Sequence, residues 1–513
     1  MKKKILFAAL LVASVMPAAA QETYEIANLS GSDLTGTARY VGMGGAMEAL
    51  GADLSTMSTN PAGIGLFRSS QFRGTFSLVS QPEVESFANT DKTHVSFDQA
   101  GFVWSSNTSG KTQSFLNIGV NYSKHRNFNQ ILRVVDRLDG ASQSKLTYNK
   151  FRQGCIESSS DLTYSQEDAL YHESLYDTNL ILDNGEFNTD AYAFDGEDYA
   201  FNRGAKGYMA EFNFNVSGNI NNRVYLGGSI GVYSIDYNCR TLYDENIRSN
   251  ELGLNTTTLE DNRQIDGTGV DLKLGVIFRP VEYSPFRVGL YVHTPTFFNI
   301  KTRNNTTLAL NDQIYDYGRR DGSNEYEFRT PWKFGVSLGH TIGTQVALGA
   351  TYEYADYSAT DARIKTGGSG HYGDYSDPDT DMNSHIQQTL KGVSTLKLGA
   401  EFRPDPSIAV RLGYNYVSPM YKKDAYRGVD VWSFGNYDSS VTDYVNWDDT
   451  HRITAGVGFT LEKFTIDLAY QFSTQKGQFL PFAGNEENLP NLPFDVEVKN
   501  DRHQAMLTLG YNF

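Results

Sequence analysis

Histidine and serine side chains are the groups in this sequence that could hydrolyse a bond or hold a metal. A serine beside a histidine base can cleave an ester, and two histidines a few residues apart can bind zinc. The nine histidines are scattered, and none stands in a metal-type pair or beside a recognisable nucleophile motif. We therefore expect no enzyme activity, no metal and no cofactor. The sequence leaves open that a serine and a histidine distant along the chain come together in the fold. His125, His172, His371 and His385 fall in segments that we expect to be loops.

Carboxylates are concentrated in the segment 126–207. On an outer surface such clusters can bind calcium or bridge to lipopolysaccharide through divalent cations. The fixed ligand spacing of a calcium loop is absent, which favours a solvated acidic surface over a metal site. The carboxylates of this segment include Glu157, Asp161, Glu167, Asp168, Glu173, Asp177, Asp183, Glu186, Asp190, Asp195, Glu197 and Asp198.

The C-terminal residues 505–513 alternate small or apolar with mostly polar side chains and end on an aromatic residue. Leu509 and Tyr511 fall on one face of a strand, and Thr508 falls on the other. Bacterial outer-membrane β-barrels end in this way. We interpret Tyr511 and Phe513 as the membrane-insertion signal, which makes the barrel-assembly machinery an expected partner.

The N-terminus has the form of a secretory signal peptide. Three lysines at 2–4 precede an apolar run at 5–16, and small residues follow up to Ala20. A retained membrane anchor would need about 20 apolar residues, and this run is shorter. Residue 21 is glutamine, so no lipid anchor on a cysteine is expected. Loss of residues 1–20 with their three lysines would change the formal charge from −16 to −19, which argues against nucleic acid as a partner.

The remaining chain has no other apolar run long enough for a transmembrane helix, and its mean hydropathy is −0.43. A membrane β-barrel is compatible with this value, because its strands place alternate residues in lipid and in water. The 32 tyrosines, 30 phenylalanines and 47 glycines support a barrel, since aromatic girdles and close-packed walls use these residues. Composition alone leaves a secreted β-sandwich open.

Alternation predicts fourteen strands over residues 71–513. In one hairpin Val270, Leu272 and Leu274 alternate with polar or small residues, a turn follows, and Val288 and Leu290 return. An even number of strands is what a closed bacterial barrel requires. The strands are expected to begin near Phe72, Val95, Leu116, Tyr208, Val224, Val270, Phe286, Phe334, Val346, Leu396, Ile408, Ile453, Phe464 and Ala505.

The expected connectors alternate between short turns and long polar segments. Outer-membrane barrels have short periplasmic turns and long outer loops, whereas a soluble sandwich has no reason to sort its loops in this way. The sequence therefore predicts an all-β protein, a transmembrane antiparallel β-barrel in the bacterial outer membrane. Examples of short connectors are 218–223, 342–345 and 461–463, and the long ones include 126–207, 299–329, 359–392 and 421–449.

Residues 21–70 precede the first strand and are too many for a simple tail, so we expect a compact plug inside the lumen. Gly42, Gly44, Gly45 and Gly51 suggest a phosphate-binding loop only weakly, because no strand of a βαβ unit precedes them. In a lumen, glycines instead let a chain fold tightly while every backbone group finds a partner.

This segment resembles the plug of a known family, the long-chain fatty-acid transporter (FadL-like) outer-membrane proteins, which include aromatic-hydrocarbon transporters. Their plug carries an acidic residue, a small stretch and then Asn-Pro-Ala-Gly, a tetrapeptide that is also a common turn. Similar barrels have fourteen strands. The chain departs from the family at Ser58 and Thr59, where aromatic residues are usual. The matching residues are Asp53, Ser55, Asn60, Pro61, Ala62 and Gly63.

The resemblance implies passive uptake of hydrophobic small molecules, such as long-chain fatty acids. In such proteins extracellular loops capture the ligand, the plug rearranges, and the ligand leaves sideways into the membrane where the third strand is kinked. The matching plug residues are then gating residues. Gly119, in the third strand, is a candidate for the wall opening, and its packing against a lumen aromatic is an equal alternative. The implied partners are outer-membrane lipid, lipopolysaccharide and the hydrophobic ligand, and a monomer is expected.

The two cysteines are expected outside the cell. Cys155 lies in the segment 126–207, and Cys239 lies just beyond the outer end of the expected fifth strand. Export passes through an oxidising periplasm, so we expect a disulfide between them. It would tether two loops over the barrel mouth.

The alternative function is that of a structural or host-interacting surface protein, whose barrel displays long acidic and tyrosine-rich loops. A continuous lumen lined with apolar side chains would discriminate between the two functions. A transporter of hydrophobic molecules needs such a lining, and a display scaffold does not.

Overall fold

The computed structural model describes residues 22–107, 114–158, 161–176, 194–250, 253–316, 322–366, 375–433, 435–436, 441–482 and 495–513. The expected signal peptide, residues 1–20, lies outside this part of the chain. No helix in the described residues is both long enough and apolar enough to cross a bilayer.

The described strands form one antiparallel sheet that closes on itself, because β1 pairs with β2 on one side and with β20 on the other. The strand segments are β1 (Gln71–Ser80), β2 (Thr93–Asn107), β3 (Phe115–Asn127), β4 (Gln130–Arg137), β5 (Gly196–Ile220), β6 (Val224–Ile247), β7 (Thr256–Phe278), β8 (Arg287–His293), β9 (Phe297–Leu310), β10 (Gln313–Asp316), β11 (Gly322–Arg329), β12 (Lys333–Ile342), β13 (Val346–Asp356), β14 (Asp361–Thr366), β15 (Tyr375–Pro378), β16 (Gly392–Asp405), β17 (Ile408–Val417), β18 (Tyr444–Leu461), β19 (Phe464–Leu480) and β20 (Val496–Asn512).

These segments make fourteen strands across the barrel wall, because several wall strands are divided in two. β3 and β4 both pair with β5, and β8 and β9 both pair with β7. The next wall strand is divided into β12, which pairs with β8, and β11, which pairs with β9. The wall strand after it is divided into β13, which pairs with β12, and β14, which pairs with β11. β10 and β15 pair only with the outer segments β9 and β14. The closed fourteen-stranded barrel is therefore confirmed.

The outer face of the wall carries an apolar belt. On β12, Phe334, Val336 and Leu338 are exposed, whereas Gly335 and Ser337 between them are buried. Corresponding apolar side chains are exposed on the other wall strands, and the C-terminal Phe513 is exposed at the belt's edge. A closed barrel with a lipid-facing apolar belt belongs in a bacterial outer membrane.

Several strands extend far beyond the membrane. β5, β6 and β7 have 25, 24 and 23 residues, whereas about 9–11 residues of a tilted strand cross a bilayer. The expected loop 126–207 therefore contains β4 and half of β5, and 299–329 contains β10, β11 and most of β9. The loop prediction was wrong there because no lipid contacts these segments, so their outer face need not be apolar.

The outer end of the barrel is capped by two helices, α3 (Gln143–Arg152) and α4 (Gln166–Tyr176). They pack with the outer strand ends around buried aromatic residues, including Tyr171, Phe201 and Phe479. A further helix, α5 (Thr380–Thr389), lies between β15 and β16 in the chain. We call the packed outer region of α3, α4 and these strand ends the cap.

The N-terminal segment, residues 22–70, lies inside the barrel. It contains α1 (Thr23–Ser30), α2 (Ala38–Gly42) and two 3-10 helices, Leu54–Ser58 and Pro61–Leu66. α2 contacts β17, β18 and β19, whereas the second 3-10 helix contacts β5, β6 and β7 in another part of the ring. A segment that contacts such widely separated wall strands has to occupy the lumen.

Glycines on the inner face of the wall allow the N-terminal segment to pack closely against it. A Cβ on Gly275 would lie 2.0 Å from Asn60 Oδ1, and a Cβ on Gly413 would lie 2.1 Å from the Gly44 nitrogen. Both distances are shorter than van der Waals contact, so glycine is required on the wall at these two positions.

We expect a Gly275→Val variant to loosen the N-terminal segment, because the new side chain would overlap Asn60. Overpacking of this kind costs about 1–3 kcal/mol. The check is limited proteolysis of the folded barrel, with faster cleavage between residues 22 and 70 in the variant. Gly74→Ala is the matched control, because a Cβ there has its nearest neighbour at 4.0 Å. Equal cleavage in both variants would contradict tight docking.

Candidate functional site: the lumen and a gap in the wall

A cavity of about 360 Å³ lies between the N-terminal segment and the cap. Phe128, Met420 and Tyr421 contribute apolar surface to it, but charged side chains are interspersed among them. The lining is therefore mixed and is not the continuous apolar lining expected of a transporter. Its charged residues include Glu22, Glu25, Asp33, Arg126, Arg203, Arg263, Lys333, Glu353, Lys397, Arg427, Asp443, Arg452 and Arg502.

The barrel wall has a gap between β2 and β3. The two strands pair only from Gln99 opposite Ser123 to Asn107 opposite Phe115. In the outer half of the wall, residues 93–98 of β2 pair with β1 alone, and the end of β3 pairs with β5 alone. β3 also bulges at His125 and ends at Asn127, and β4 begins at Gln130 after two intervening residues. The third wall strand is therefore interrupted.

Residues of the N-terminal segment occupy the position of the missing strand partner. The Asp33 amide donates to the His125 carbonyl at 3.0 Å, and the Thr35 hydroxyl donates to the Lys124 carbonyl at 2.5 Å. The Asn127 amide donates in return to the Asp33 carboxylate at 2.9 Å. The gap is thus closed from inside the lumen by a part of the chain that is not a strand.

A groove of about 530 Å³ lies on the outer side of the gap, and its lining combines charged residues such as Asp91, Lys124 and Asp236 with apolar ones. Val95, Phe97, Tyr122 and Tyr208 line it, and Val95 is 77% exposed. Asn127 lines both this groove and the lumen cavity. Side chains such as that of Asn127 therefore separate the cavity from the outside of the wall.

Two side-chain hydrogen bonds bridge the gap itself. The Lys124 ammonium donates to Ser96 Oγ at 2.6 Å. The side-chain amide of Asn127 lies 3.1 Å from His94 Nε2. Phe97 of β2 also stacks on Tyr122 of β3, with ring centroids 5.3 Å apart. In the described chain no backbone ladder connects the two strands at the gap.

Gly119 is remote from the gap. It pairs with Val103 within the regular part of the β2–β3 ladder, and a Cβ on it would lie 2.1 Å from Met57 Cε. Gly119 therefore fits the alternative in which this glycine allows close packing in the lumen, but its neighbour is Met57 and not an aromatic residue. The interruption at His125 and Asn127 was missed, because loss of pairing with a distant strand leaves no local sequence signal.

Asp53 and Ser55 organise the turn between α2 and the first 3-10 helix. The Asp53 carboxylate caps that helix by accepting from the Ser55 amide at 3.0 Å, and it accepts from the Thr37 hydroxyl at 2.8 Å. The Ser55 hydroxyl donates to Gln99 Oε1 on β2 at 3.0 Å. Asp53 thus joins two parts of the N-terminal segment, and Ser55 joins the segment to the wall.

The Asn-Pro-Ala-Gly tetrapeptide is held at the periplasmic end of the lumen. The Asn60 side chain donates to the Glu48 carbonyl at 3.0 Å and accepts from the Ala62 amide at 3.2 Å. Ser217 of β5 donates to the Pro61 carbonyl at 2.8 Å. A Cβ on Gly63 would lie 2.6 Å from the Thr56 hydroxyl. This turn lies at the opposite end of the barrel from the gap.

The expected disulfide is not formed, since Cys155 and Cys239 are both free. Cys239 was placed beyond the end of a strand, but it lies within β6 and lines the lumen cavity near Arg203. Cys155 follows α3 in the cap, near Lys150 and Asp168. The prediction failed because β6 extends well past the expected strand end.

The acidic residues of the segment 126–207 divide between surface and interior. Glu157, Asp195 and Glu197 are exposed, as a solvated surface predicts. Asp168 is buried and pairs with Lys150 at 2.6 Å. Burial, with Asp168 as neighbour, raises the pKa of Glu167 well above its ordinary value. Asp177, Asp183, Glu186 and Asp190 lie outside the described residues, and within them no carboxylate cluster fits a metal ion.

These features define a class: an outer-membrane barrel of fourteen strands with a folded segment in its lumen and an interrupted third wall strand. No family model and no curated protein matches the sequence. Solved structures do match the fold.

The chain is similar to a FadL homologue from Pseudomonas aeruginosa, with 13% identity, a TM-score of 0.52, and coverage of 94% of this chain and 99% of that one. It is also similar to the monoaromatic hydrocarbon channel CymD, with 12% identity, a TM-score of 0.50 and the same coverage. The fold is therefore that of the FadL-like outer-membrane channels, as the plug residues suggested.

We expect Asp53→Ala to weaken the inner turn, because Thr37 and the Ser55 amide both lose their acceptor. Loss of such a helix cap costs about 1 kcal/mol. Hydrogen exchange should become faster for the amides of residues 54–58. Asp53→Asn keeps an acceptor for the cap and should show a smaller change. If Asp53→Ala left exchange at 54–58 unaltered, the capping role would be wrong.

Proposed function

We propose that this protein is a passive channel for hydrophobic small molecules, which leave its lumen sideways through the gap between β2 and β3. The observation that carries this proposal is the closure of the gap by residues 33–35 instead of by a strand. A hydrogen-bonded strand cannot separate from its neighbour without loss of a whole ladder. A short segment held by three hydrogen bonds and by the 3.8 Å contact of Asp33 with Arg452 can be displaced at much lower cost.

The proposed path begins at the extracellular loops, which capture the ligand and pass it to the cavity beneath the cap. Movement of residues 31–36 away from β3 then opens the gap. Val95 and Phe97 offer the ligand an apolar surface on the far side. Transfer of apolar surface from a partly wet lumen to lipid is favourable, so the process needs no energy source.

We assign different roles to the two halves of the N-terminal segment. Asp53, Ser55 and the tetrapeptide Asn60–Pro61–Ala62–Gly63 act as the fixed anchor, since they are fully buried against each other and the wall. Residues 31–36 act as the moving gate, because their hydrogen bonds to Lys124, His125 and Asn127 are the ones that close the gap. We therefore assign the gating role to residues 31–36 and not to the tetrapeptide, for which the resemblance implied it.

The surface-scaffold alternative has two observations in its favour. The lining of the lumen cavity is mixed and is not continuously apolar. The cap fills the outer end of the barrel with buried aromatic residues, as a rigid display platform would. A display scaffold does not need an interrupted wall strand between a lumen cavity and an outer groove. Locking that gap is therefore the test that separates the two functions.

The gap can be locked with cysteines at positions 96 and 124, joined by a short bifunctional thiol reagent. The present side chains at these positions are 2.6 Å apart, and Cys155→Ser with Cys239→Ser removes the native thiols. We expect crosslinked Ser96→Cys/Lys124→Cys protein to lower uptake of radiolabelled lipophiles to that of cells lacking the protein.

The matched controls are the two single-cysteine variants treated with the same reagent, which should transport as the untreated protein does. Uptake that persists after complete crosslinking would exclude lateral exit through this gap. If cells without the protein take up every lipophile at the normal rate, the scaffold function is favoured.

A further inference from the structure

Three carboxyl groups in the described part of the cap are buried without an ion-pair partner. Glu167 lies at the start of α4, Glu245 on the outer part of β6 and Asp261 on the outer part of β7, and at most 3% of each is exposed. No lysine, arginine or histidine nitrogen of the described chain lies within 4.0 Å of them. Burial removes the water that stabilises a carboxylate. These groups are therefore more stable in the cap when they carry a proton.

Glu167 is surrounded by charges that do not neutralise it. Lys150 of α3 is paired with Asp168 at 2.6 Å, and Arg427 lies 3.7 Å from a glutamate at the start of α1. Both carboxyl oxygens of Glu167 are buried without a hydrogen-bond partner in the described chain. Burial, with Asp168 and Asp261 as like charges, raises the pKa of Glu167 well above its ordinary value, and Lys150 and Arg427 offset this only in part.

Glu245 joins β6 to the first turn of α3. Its carboxyl accepts from the Gln143 amide at 3.2 Å and from the Tyr243 hydroxyl at 2.9 Å, while its second oxygen has no partner in the described chain. Lys145 of α3 and Tyr171 of α4 also face it, and Lys145 is paired with an exposed aspartate. Burial raises the pKa of Glu245 to about 7, although its hydrogen bonds and Lys145 act in the opposite direction.

Asp261 faces α4 from the wall. Its carboxyl accepts from the Thr306 hydroxyl of β9 at 2.8 Å. Arg263 on the same strand is paired with a glutamate of α1, and Asp443 is a further like charge nearby. Burial raises the pKa of Asp261 to about 6, because the hydrogen bond and Arg263 offset it only in part. If Asp261 and Glu167 both ionised, two negative charges would repel each other where α4 packs on the wall.

Cap opening is coupled to proton loss from these groups. A carboxyl group whose pKa is higher in the closed cap than in water binds more protons in the closed cap. Closure is then strongest below the ordinary pKa and weakens as the pH rises toward the pKa in the closed cap. For Glu245 this range extends from 4.5 to about 7. Within its range each such group shifts the equilibrium toward the open cap by about tenfold per pH unit.

We propose that protonation of Glu167, Glu245 and Asp261 holds the cap closed over the lumen cavity, and that their ionisation opens it. The cap covers the outer end of this cavity, so the acidity at the cell surface controls access to the lumen. The inference goes beyond the proposed function. It concerns the entrance, and it holds whether or not molecules leave through the gap between β2 and β3.

The test is hydrogen exchange of the purified full-length protein in a non-ionic detergent, from about pH 5 to about pH 7.5 and corrected for the chemical exchange rate. Protection of residues 143–152 and 166–176 should fall by about tenfold or more per pH unit. Glu167→Gln and Glu245→Gln should each reduce this fall and retain stronger protection at the upper pH. Glutamine stays neutral and keeps an acceptor oxygen, and a misfolded cap would not gain protection.

Glu157→Gln is the matched control, because Glu157 follows α3 in the cap but is exposed. It should show the pH dependence of the unaltered protein. Access to the cavity can be measured at Cys239, which lines it, with a charged, water-soluble maleimide in a Cys155→Ser background. The labelling rate relative to that of the Glu167→Gln variant at the same pH should rise with pH, and this ratio cancels the ionisation of the thiol.

Protection that does not change with pH, or that changes equally in the unaltered protein and in both glutamine variants, would overturn the inference. It would also be overturned if the helices lost protection while the labelling ratio at Cys239 stayed constant, because the cavity would then remain closed. None of these results affects the crosslinking test of the gap, so the proposed function stands or falls separately.

Discussion

Hydrogen bonding of the backbone in a medium without water is the constraint on which this structure depends. Each wall strand has to be paired along its length inside the bilayer, and fourteen strands meet that demand by closing into a ring. In the outer half of the wall, the described residues of β2 and β3 are not paired with each other. There the lumen segment supplies the hydrogen-bond donors and acceptors that a neighbouring strand supplies elsewhere. The interrupted wall therefore depends on the folded segment in the lumen.

The fixed position of the lumen segment comes from close packing and from buried ion pairs. Lys397 donates to Glu48 at 2.9 Å, and Arg39 lies 3.1 Å from Glu401. Glu401 also pairs with Arg411 at 2.7 Å. Breaking such a buried pair leaves an uncompensated charge, which is strongly destabilising. These contacts hold the periplasmic part of the segment, while residues 31–36 have only a few hydrogen bonds beside the gap.

Sequence reasoning succeeded where the environment repeats along the chain. Phe334, Val336 and Leu338 contact lipid at every second position, so the wall strands and their number were predictable. It failed for the outer half of β5 and for Cys239, because the outer face of these segments does not contact lipid. The interruption after Asn127 and the contact of Asp33 with Arg452 depend on residues hundreds of positions apart, which periodicity cannot bring together.

The central claim is that residues 31–36 close the wall gap and leave it when ligand passes. The most direct measurement is the labelling of a Thr35→Cys variant, without the native cysteines, by a maleimide that partitions into the membrane. The account predicts protection in the resting protein and labelling during ligand transport. A labelling rate that is the same with and without ligand would contradict it.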